Sequence, residues 1–245
     1  MAKEIGPRFL ADTRPGQPAA SAGRTGSPPS LEPSRPEGAR VLSLPGGAHL
    51  LNPTVDWRTL TDQRASLREY APQPFTREEL AFLLWCTQGV KSVVGGHTTL
   101  RTVPSAGARH AFETYVLANR VEGLEEGLYQ YLALSHELLV LCTGPGPARE
   151  IMAACYDQSF VAQAAVTLVW VAVPARMTWR YGQRGYRYLF LDAGHVGQNL
   201  YLASEAIGAG ACTVGAFDDD ALNAGLGLDG AEAFAIYAGA SGKKP

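Results

Sequence analysis

The sequence predicts an α+β fold, a mixed α/β sandwich with a central sheet flanked by helices. Short segments with strand character alternate with amphipathic helical segments, and two of the strands are joined by a turn that allows only an antiparallel hairpin. The regular strand–helix–strand repetition of a doubly wound parallel sheet is absent. At 245 residues and 46% hydrophobic composition, the chain can bury the core of one large domain.

The first 52 residues are predicted to form an extended N-terminal arm ahead of one domain over residues 53–245. Between Arg14 and Glu37, 13 of 24 residues are proline, glycine or serine, a composition that disfavours a packed core. Two alternatives stay open for the arm: it wraps a partner subunit, or it is a free tail. Regularly spaced apolar residues from Ala39 to Leu51 already suggest some packing.

The first helix of the domain is predicted over Thr76–Val90, where a Thr-x-x-Glu capping box opens a stretch with apolar residues at helical spacing. Short runs rich in β-branched and aromatic residues predict strands. These runs are Glu113–Asn119, Gly127–Leu134, His136–Leu141, Thr167–Val173, Ala211–Phe217 and Phe234–Ala240. The second and third of them form the hairpin.

A long helical stretch is predicted over Arg180–Ile207, which would be roughly 40 Å long if continuous, at about 1.5 Å per residue. Small and aromatic residues occur on several of its faces, and a helix that is apolar nearly all round is buried on both sides. We expect it to pack against its counterpart across the interface of a homodimer. The alternative is a central core helix within one subunit.

The composition disfavours several classes of function. A net charge of −2 with dispersed basic residues argues against nucleic acid or an anionic membrane as a partner. We see no secretory signal and no apolar run of the roughly 20 residues that span a bilayer. The four cysteines, Cys86, Cys142, Cys155 and Cys212, lie far apart in apolar sequence. We expect buried free thiols and a cytoplasmic protein.

Arg64, Ser66 and Arg68, called the anion motif below, occupy alternate positions. In an extended backbone such side chains point the same way and can converge on one anion. Arginine suits phosphate because its planar fork donates two parallel hydrogen bonds. The alternative is an ordinary cluster of surface charges.

Pro104, Ser105, Ala106 and Gly107 form a segment of small residues, called the small-residue loop below. Small side chains and a flexible backbone let a flat ligand approach main-chain groups closely. Arg109 and His110 follow at a predicted helix start. The alternative is a simple connection between two elements.

No metal site is predicted. The acidic run Asp218–Asp220 precedes a helical pattern and is better explained as a helix N-cap and first turn. His195 has no carboxylate or cysteine at ligand spacing and is expected to be a satisfied interior histidine. The sequence contains neither a dinucleotide-binding glycine fingerprint after a strand nor the nucleophile elbow of a serine hydrolase.

Taken together and in order, these segments resemble the nitroreductase superfamily, in its SagB/ThcOx-type branch, over roughly residues 56–244. That branch includes azoline dehydrogenases that oxidise peptide thiazolines to thiazoles. The segments that carry the resemblance are Arg64–Tyr70, Leu83–Val90, Arg101–Val116, Gly127–Tyr131, Arg180–Gly208 and Gly215–Gly230.

The resemblance implies an FMN-binding homodimer with the cofactor at the subunit interface. The anion motif would bind the FMN phosphate and ribityl chain, and the small-residue loop would line the isoalloxazine from the partner subunit. The backbone of Val214 and Gly215 would lie near the flavin N5 edge, and Lys243 would add positive charge at the phosphate.

The catalytic residues that the resemblance implies are Arg180 and Tyr181. Peptide azoline dehydrogenases carry a Lys-Tyr pair at this place, and an arginine with a pKa above about 12 is a poor base, which argues against peptide aromatisation. A second departure is Ala65, where the family often has another basic residue.

The expected function is two-electron transfer by a ping-pong mechanism between a donor, with NAD(P)H as a candidate, and a small-molecule or peptide-borne substrate. Two alternatives remain open. One is a flavin-binding protein that sequesters flavin or breaks down a cofactor, and the other is a dimeric scaffold without catalysis.

Overall fold

The structure, a computed structural model, describes residues 4–17, 26–47 and 50–245. The helices are α1 Ile5–Asp12, α2 Trp57–Gln63, α3 Arg77–Gln88, α4 Gly146–Ala154, α5 Phe160–Gln163, α6 Pro174–Tyr181, α7 Gly185–Ala206 and α8 Asp219–Gly225. The strands are β1 Val41–Ser43, β2 Val90–Val94, β3 Thr98–Arg101, β4 Phe112–Ala118, β5 Gly127–Leu132, β6 Glu137–Thr143, β7 Val166–Ala172, β8 Ala209–Val214 and β9 Phe234–Lys243.

Seven strands form the central sheet in the order β1-β6-β5-β4-β7-β9-β8, and each neighbouring pair is antiparallel. Strands β2 and β3 form a separate two-stranded ribbon. The predicted α+β class with a central sheet flanked by helices is confirmed. The predicted hairpin is also confirmed, as the β5–β6 pair.

The core lies on both faces of the sheet, and β7 is buried along its whole length. Its side chains alternate, as the pleat requires. Leu168 and Trp170 join the apolar cluster shared with α3 and α7, whereas Val169 and Val171 join the cluster shared with α4, α5 and α8. Helix α7 therefore covers one face of the sheet, next to its β8–β9 edge.

Two local predictions are confirmed at helix starts. Thr76 caps α3 by accepting a hydrogen bond from the Glu79 amide, and the Glu79 carboxylate accepts one from the Thr76 amide. Asp218 caps α8 by accepting a hydrogen bond from the Ala221 amide. In the described part of the chain, no helix combines the length and the apolar character needed to cross a membrane.

The predicted helical stretch from Arg180 to Ile207 is not one continuous helix. Helix α6 ends at Tyr181, a 3₁₀ turn spans Gly182–Arg184, and α7 begins only at Gly185. The break occurs at Gly182, whose φ of 52° lies in the left-handed region that glycine tolerates. Arg180 and Tyr181 therefore belong to the preceding helix.

Helix α7 is also not buried all round. Phe190 and Leu191 are 61% and 62% exposed, and Gly194, His195 and Gln198 are exposed on the same stripe of the helix. The prediction that His195 is an interior residue is wrong for the single chain. The stripe consists of residues that follow one another at helical spacing.

Other predictions need correction. Arg109 and His110 do not begin a helix, because they connect the 3₁₀ turn Ala106–Ala108 to β4. His110 has a positive φ of 43°, which ends helical geometry there. Among the free cysteines, Cys142 is exposed and Cys86 is only half-buried; Cys155 and Cys212 are buried as predicted.

The arm is not wholly extended, because it contains the helix α1; it also contributes the edge strand β1 to the sheet. The end of α1 contacts the start of α7. Arg184 Nη1 donates to the Thr13 carbonyl oxygen at 2.7 Å, and Arg187 Nε donates to Thr13 Oγ1 at 2.6 Å. Part of the predicted proline-, glycine- and serine-rich stretch, residues 18–25, lies outside the described residues, as do residues 48 and 49.

Candidate functional site

The anion motif follows the end of α2 and lies beside the edge strand β8. Ser66 forms a parallel bridge with Ala211, and the Leu67 amide donates to the Ala211 carbonyl oxygen at 2.9 Å. Gly210 permits this approach, because a Cβ there would lie 2.5 Å from a methyl carbon of Leu67. The chain is thus held against the sheet edge, in line with the extended backbone that we predicted.

Arg64 and Ser66 face the same residue of α7. The Arg64 guanidinium carbon lies 5.2 Å from the centroid of the Tyr201 ring, and Ser66 Oγ lies 3.0 Å from the Tyr201 hydroxyl. The Arg68 guanidinium lies 5.9 Å from the ring of Phe160 in α5. Among the described residues, neither Arg64 nor Arg68 forms an ion pair with a carboxylate. Both charges are therefore available to an anion. Tyr201 and Phe160 belong to the apolar clusters on opposite faces of the sheet, so these contacts do not bring Arg68 together with Arg64 and Ser66 as predicted.

A chain of hydroxyl groups connects the anion motif to the sheet. Thr213 donates its amide to the Tyr201 hydroxyl at 3.0 Å, and its Oγ1 lies 3.1 Å from the same oxygen. The Tyr237 hydroxyl donates to Thr213 Oγ1 at 2.7 Å. Val214 and Gly215 follow directly after Thr213, so the end of β8 lies beside this group of hydroxyls.

Lys243, at the end of β9, already has a partner. Its ammonium forms an ion pair with the carboxylate of Glu79, and its Nζ lies 5.5 Å from the ring centroid of Phe75. The Lys243 side chain is 22% exposed. The structure therefore places this charge against α3, whereas Arg64 and Arg68 have no such partner among the residues that the structure describes.

The small-residue loop contacts the end of α6. Gly107 has a φ of 58°, and a Cβ there would lie 2.4 Å from the Tyr181 hydroxyl and 3.1 Å from the Arg180 guanidinium carbon. Arg180 Nη1 donates to the Gly107 carbonyl oxygen at 3.4 Å. The structure thus brings the two predicted catalytic residues together with Gly107. Only glycine, which has no Cβ, leaves room for this contact.

A buried carboxylate holds the small-residue loop from the other side. Asp192 of α7 is 5% exposed, and its Oδ1 accepts a hydrogen bond from the Ala106 amide at 3.2 Å. Burial raises the pKa of Asp192, while hydrogen bonds from Ser105 and Ala106 act in the opposite direction. Ser105 Oγ in turn accepts a hydrogen bond from the His110 amide at 2.9 Å. Asp192 Oδ2 is buried without a hydrogen-bond partner among the described residues.

The predicted site residues form two groups within one chain, and α7 lies between them. Asp192 marks the group around the small-residue loop, and Tyr201 marks the group around the anion motif. These two residues are nine positions apart, which corresponds to about 13 Å along the axis and to opposite sides of the helix. One chain therefore does not bring all the predicted residues into a single pocket.

Sequence reasoning missed Tyr201, Thr213, Tyr237 and Asp192. For Asp192 a signal was present, because it is the one acidic residue between Gly185 and Ser204. An acidic residue in such an apolar helix has to be satisfied or functional. For Tyr201, Thr213 and Tyr237 no local signal existed, since their hydrogen-bond partners are far away in the sequence.

A groove of about 300 Å³ lies between α2, α3 and α7. Its walls are mainly apolar and include Trp57, Phe82, Cys86 and Leu202. None of the predicted site residues lines it, so it is separate from both groups.

The fold agrees with what comparison with known proteins finds. The model of the nitroreductase family matches residues 61–243. The chain therefore belongs to the nitroreductase family, whose members are flavin-dependent oxidoreductases and typically bind FMN.

Three relatives illustrate the similarity. A protein of Methanocaldococcus jannaschii assigned to the nitroreductases is 39% identical over 160 residues, which cover 65% of this chain and 78% of the relative. The trifolitoxin-processing protein TfxB of Rhizobium leguminosarum bv. trifolii is 28% identical over 126 residues, covering 50% of this chain and 34% of TfxB. The crystal structure of a nitroreductase-type protein from Anabaena variabilis superposes with a TM-score of 0.71 at 27% identity, covering 90% of this chain. This chain spans 45% of the length of that protein.

Proposed function

We propose that this protein is an FMN-dependent oxidoreductase that works as a homodimer. It transfers two electrons by a ping-pong mechanism between a donor, with NAD(P)H as the candidate, and a small or peptide-borne substrate. The observation that carries the proposal is a pair of guanidiniums, Arg64 and Arg68, which flank Ser66 in the sequence at the β8 edge and form no ion pair with a carboxylate in the described part of the chain. In a chain of this family, such a set fits a phosphate group.

The residues present fit FMN at both ends of the cofactor. Guanidinium forks and a serine hydroxyl are suitable donors for a phosphate. At the other end, Gly107 and its small neighbours leave main-chain groups accessible to a flat ring system. We infer FMN and not FAD because the sequence has one phosphate-type motif and no adenine-binding fingerprint. Lys243 joins the phosphate site only if its ion pair with Glu79 opens.

The flavin supplies the two-electron chemistry when it is bound, and the chain supplies binding, orientation and charge. The Val214–Gly215 backbone is proposed to border the reactive edge of the ring. The Arg180 guanidinium would place a fixed positive charge at the substrate side, which favours an anionic or carbonyl-bearing substrate. The Tyr181 hydroxyl would hold or accept a proton during transfer.

The proposed homodimer rests on the exposed stripe of α7. Phe190 and Leu191 are large apolar residues in solvent, next to the exposed and small Gly194. On a helical projection, the stripe lies between the face that carries Asp192 and the face that carries Tyr201. A second α7 packed on the stripe would bring the small-residue loop of one subunit towards the anion motif of the other. We expect an interface of the large obligate class, above about 2,000 Å².

A peptide-borne substrate is supported by the similarity to TfxB, which is named as trifolitoxin-processing and matches half of this chain. We place the protein in the SagB/ThcOx-type branch for the same reason. Arg180 argues against a catalytic base at that position, so a reaction other than azoline aromatisation is favoured.

Two buried unpaired thiols, Cys155 and Cys212, are consistent with a cytoplasmic location.

The first experiment identifies the cofactor. Purified protein is expected to be yellow and to release, on acid treatment, flavin that runs as FMN on chromatography, at about one per subunit. Anaerobic addition of NADH or NADPH should bleach the flavin, and candidate acceptors should restore its colour. Release of FAD would overturn the cofactor assignment. Colourless protein that does not bind added FMN would overturn the proposed function.

The second experiment tests the two catalytic residues. Tyr181→Phe and Arg180→Ala should keep FMN, because the proposed phosphate site lies on the other side of α7. Arg180→Ala should make the flavin harder to reduce, since a positive charge near the ring stabilises its anionic reduced form. If neither variant alters the reduction potential or the turnover with any acceptor, both residues are structural.

A further inference from the structure

Helix α6 needs external anchors to hold Arg180 and Tyr181 in place. It is only eight residues long, and it is not continuous with α7 because helical geometry is interrupted at Gly182. Two turns of helix have little stability of their own. The orientation of its last turn therefore depends on contacts that its side chains make with other elements.

Met177 anchors the helix in the apolar core, and Arg176, one turn before Arg180, makes a buried polar contact. Its side chain is 6% exposed and forms an ion pair with Glu113 of β4, which is 10% exposed. Its Nε also donates to the carbonyl oxygen of Ser30 in the arm, at 2.9 Å. One guanidinium thus joins α6 to the sheet and to the arm at the same time.

A second contact joins the arm to the same helix. Trp179 Nε1 donates to the Gly26 carbonyl oxygen at 3.4 Å. The Arg109 guanidinium carbon lies 5.3 Å from the centroid of the Trp179 ring, and Arg109 Nε donates to the Gly107 carbonyl oxygen at 3.2 Å. The arm therefore connects through Trp179 to the small-residue loop.

The arm also contributes a charge near the buried ion pair of Arg176 and Glu113. Arg101 is also 6% exposed and donates to Gln88 Oε1 at 2.8 Å. Burial lowers the pKa of Arg101 to about 10, while the carboxylates of Glu113 and of Glu32, from the arm, act in the opposite direction. Arg101, Arg176 and Glu113 form the buried cluster, and the half-buried Glu32 of the arm adds a second carboxylate that acts on it from outside. Glu32 is itself fixed, because its Oε1 accepts a hydrogen bond from the Leu134 amide at 3.0 Å.

We propose that Gly26–Arg35 of the arm is a strap that completes the active site, and that Arg176 is the positioning residue through which the strap sets the orientation of Arg180 and Tyr181. The inference rests on the proposed function, since it assumes that these two residues act on the substrate. It gives the arm a role within its own subunit, in addition to any contact with a partner.

The test uses full-length, FMN-loaded protein with three single substitutions. Arg176→Lys keeps the charge opposite Glu113 but loses the fork that also reaches Ser30. Glu32→Gln removes the carboxylate that the strap contributes. Arg40→Gln is the matched control, because Arg40 lies in the arm outside the strap in an exposed pair with Glu125, at 3.6 Å.

We expect Arg176→Lys and Glu32→Gln to lower kcat about tenfold with unchanged FMN content, because the proposed phosphate site is not disturbed. Hydrogen exchange should become faster in α6 and stay unchanged in α8. Arg40→Gln should change neither quantity. If Arg176→Lys does not fold, Glu32→Gln alone decides the outcome.

A double-mutant cycle separates a positioning role from a general loss of stability. In a background with Arg180→Ala and Tyr181→Phe, the further change Arg176→Lys should have no effect on kcat. An equal loss of kcat in both backgrounds would overturn the strap inference, as would unchanged hydrogen exchange in α6. If Arg180→Ala and Tyr181→Phe are themselves without effect, the catalytic assignment falls and the strap inference falls with it. If these two substitutions lower turnover and the strap variants do not, only the strap inference falls.

Discussion

Gly107→Ala is the substitution with the most definite expected result, because two separate costs arise at one position. The φ of 58° is left-handed, which costs an L-residue about 1–2 kcal/mol. In a chain of this size each kcal/mol corresponds to a fall of about 2–4 °C in Tm. The added Cβ would also lie 2.4 Å from the Tyr181 hydroxyl, well inside any permitted contact. Tyr181 would have to move by about 1 Å, a misplacement that can cost about 100-fold in rate.

Gly227→Ala provides the matched control for Gly107→Ala. Gly227 has a φ of 70° and open space where a Cβ would be placed. In urea or thermal unfolding, Gly227→Ala should lose only the free energy that the left-handed φ costs, Gly107→Ala should lose at least as much, and both should retain FMN. Turnover with any active donor and acceptor pair should fall in Gly107→Ala alone. Equal turnover in the two variants would refute the contact between the small-residue loop and Tyr181 as a determinant of catalysis.

Two further predictions concern cofactor affinity and pH. Arg68→Ala should weaken FMN binding by about 10- to 100-fold, because one charge-assisted hydrogen bond contributes about 1.5–3 kcal/mol. Flavin titration measures this affinity, and the control is Arg58→Ala, which removes an exposed arginine of α2. Equal FMN affinities of the two variants would place the phosphate elsewhere. Burial, with Arg101 and Arg109 nearby, lowers the pKa of His110 to about 3. The unfolded chain therefore binds a proton below about pH 6.5 that the folded chain does not, and unfolding free energy should fall by up to about 1.4 kcal/mol per pH unit below that value. His110→Gln should flatten this dependence between about pH 6.5 and 5 in urea unfolding, and an unchanged slope would show that His110 does not cause it.

The parts of the fold that the sequence predicts well are formed by residues that lie close together in the sequence. The capping box of α3 is complete within Thr76–Glu79, and the β5–β6 hairpin follows from a short turn between two strand-forming runs. The break before α7 was missed although its cause is local. Helical spacing of apolar residues continues across Gly182, and the left-handed φ of this one residue ends the helix.

The site was predictable only in part, because its contacts join distant residues. The alternation of Arg64 and Ser66 indicates a common direction, but nothing near them indicates that both contact Tyr201. The hydroxyl chain through Thr213 arises only once β8 is the edge strand. In the same way, Arg176 is one of many arginines in the sequence, and its burial between β4 and the arm appears only in the folded chain.

The central claim is that each active site combines the anion motif of one subunit with the small-residue loop and Tyr181 of its partner. Subunit complementation tests it most directly. Arg68→Ala and Gly107→Ala subunits are co-expressed with different affinity tags, and the mixed dimer is isolated. All dimers are assayed at an FMN concentration that fills the wild-type site and leaves the weakened Arg68→Ala site largely empty, so that both parent homodimers are nearly inactive. If the site is shared, the mixed dimer has one site with both defects and one intact site, so it should reach about half of the wild-type turnover per dimer. Turnover no higher than the mean of the two parent homodimers would contradict the shared site.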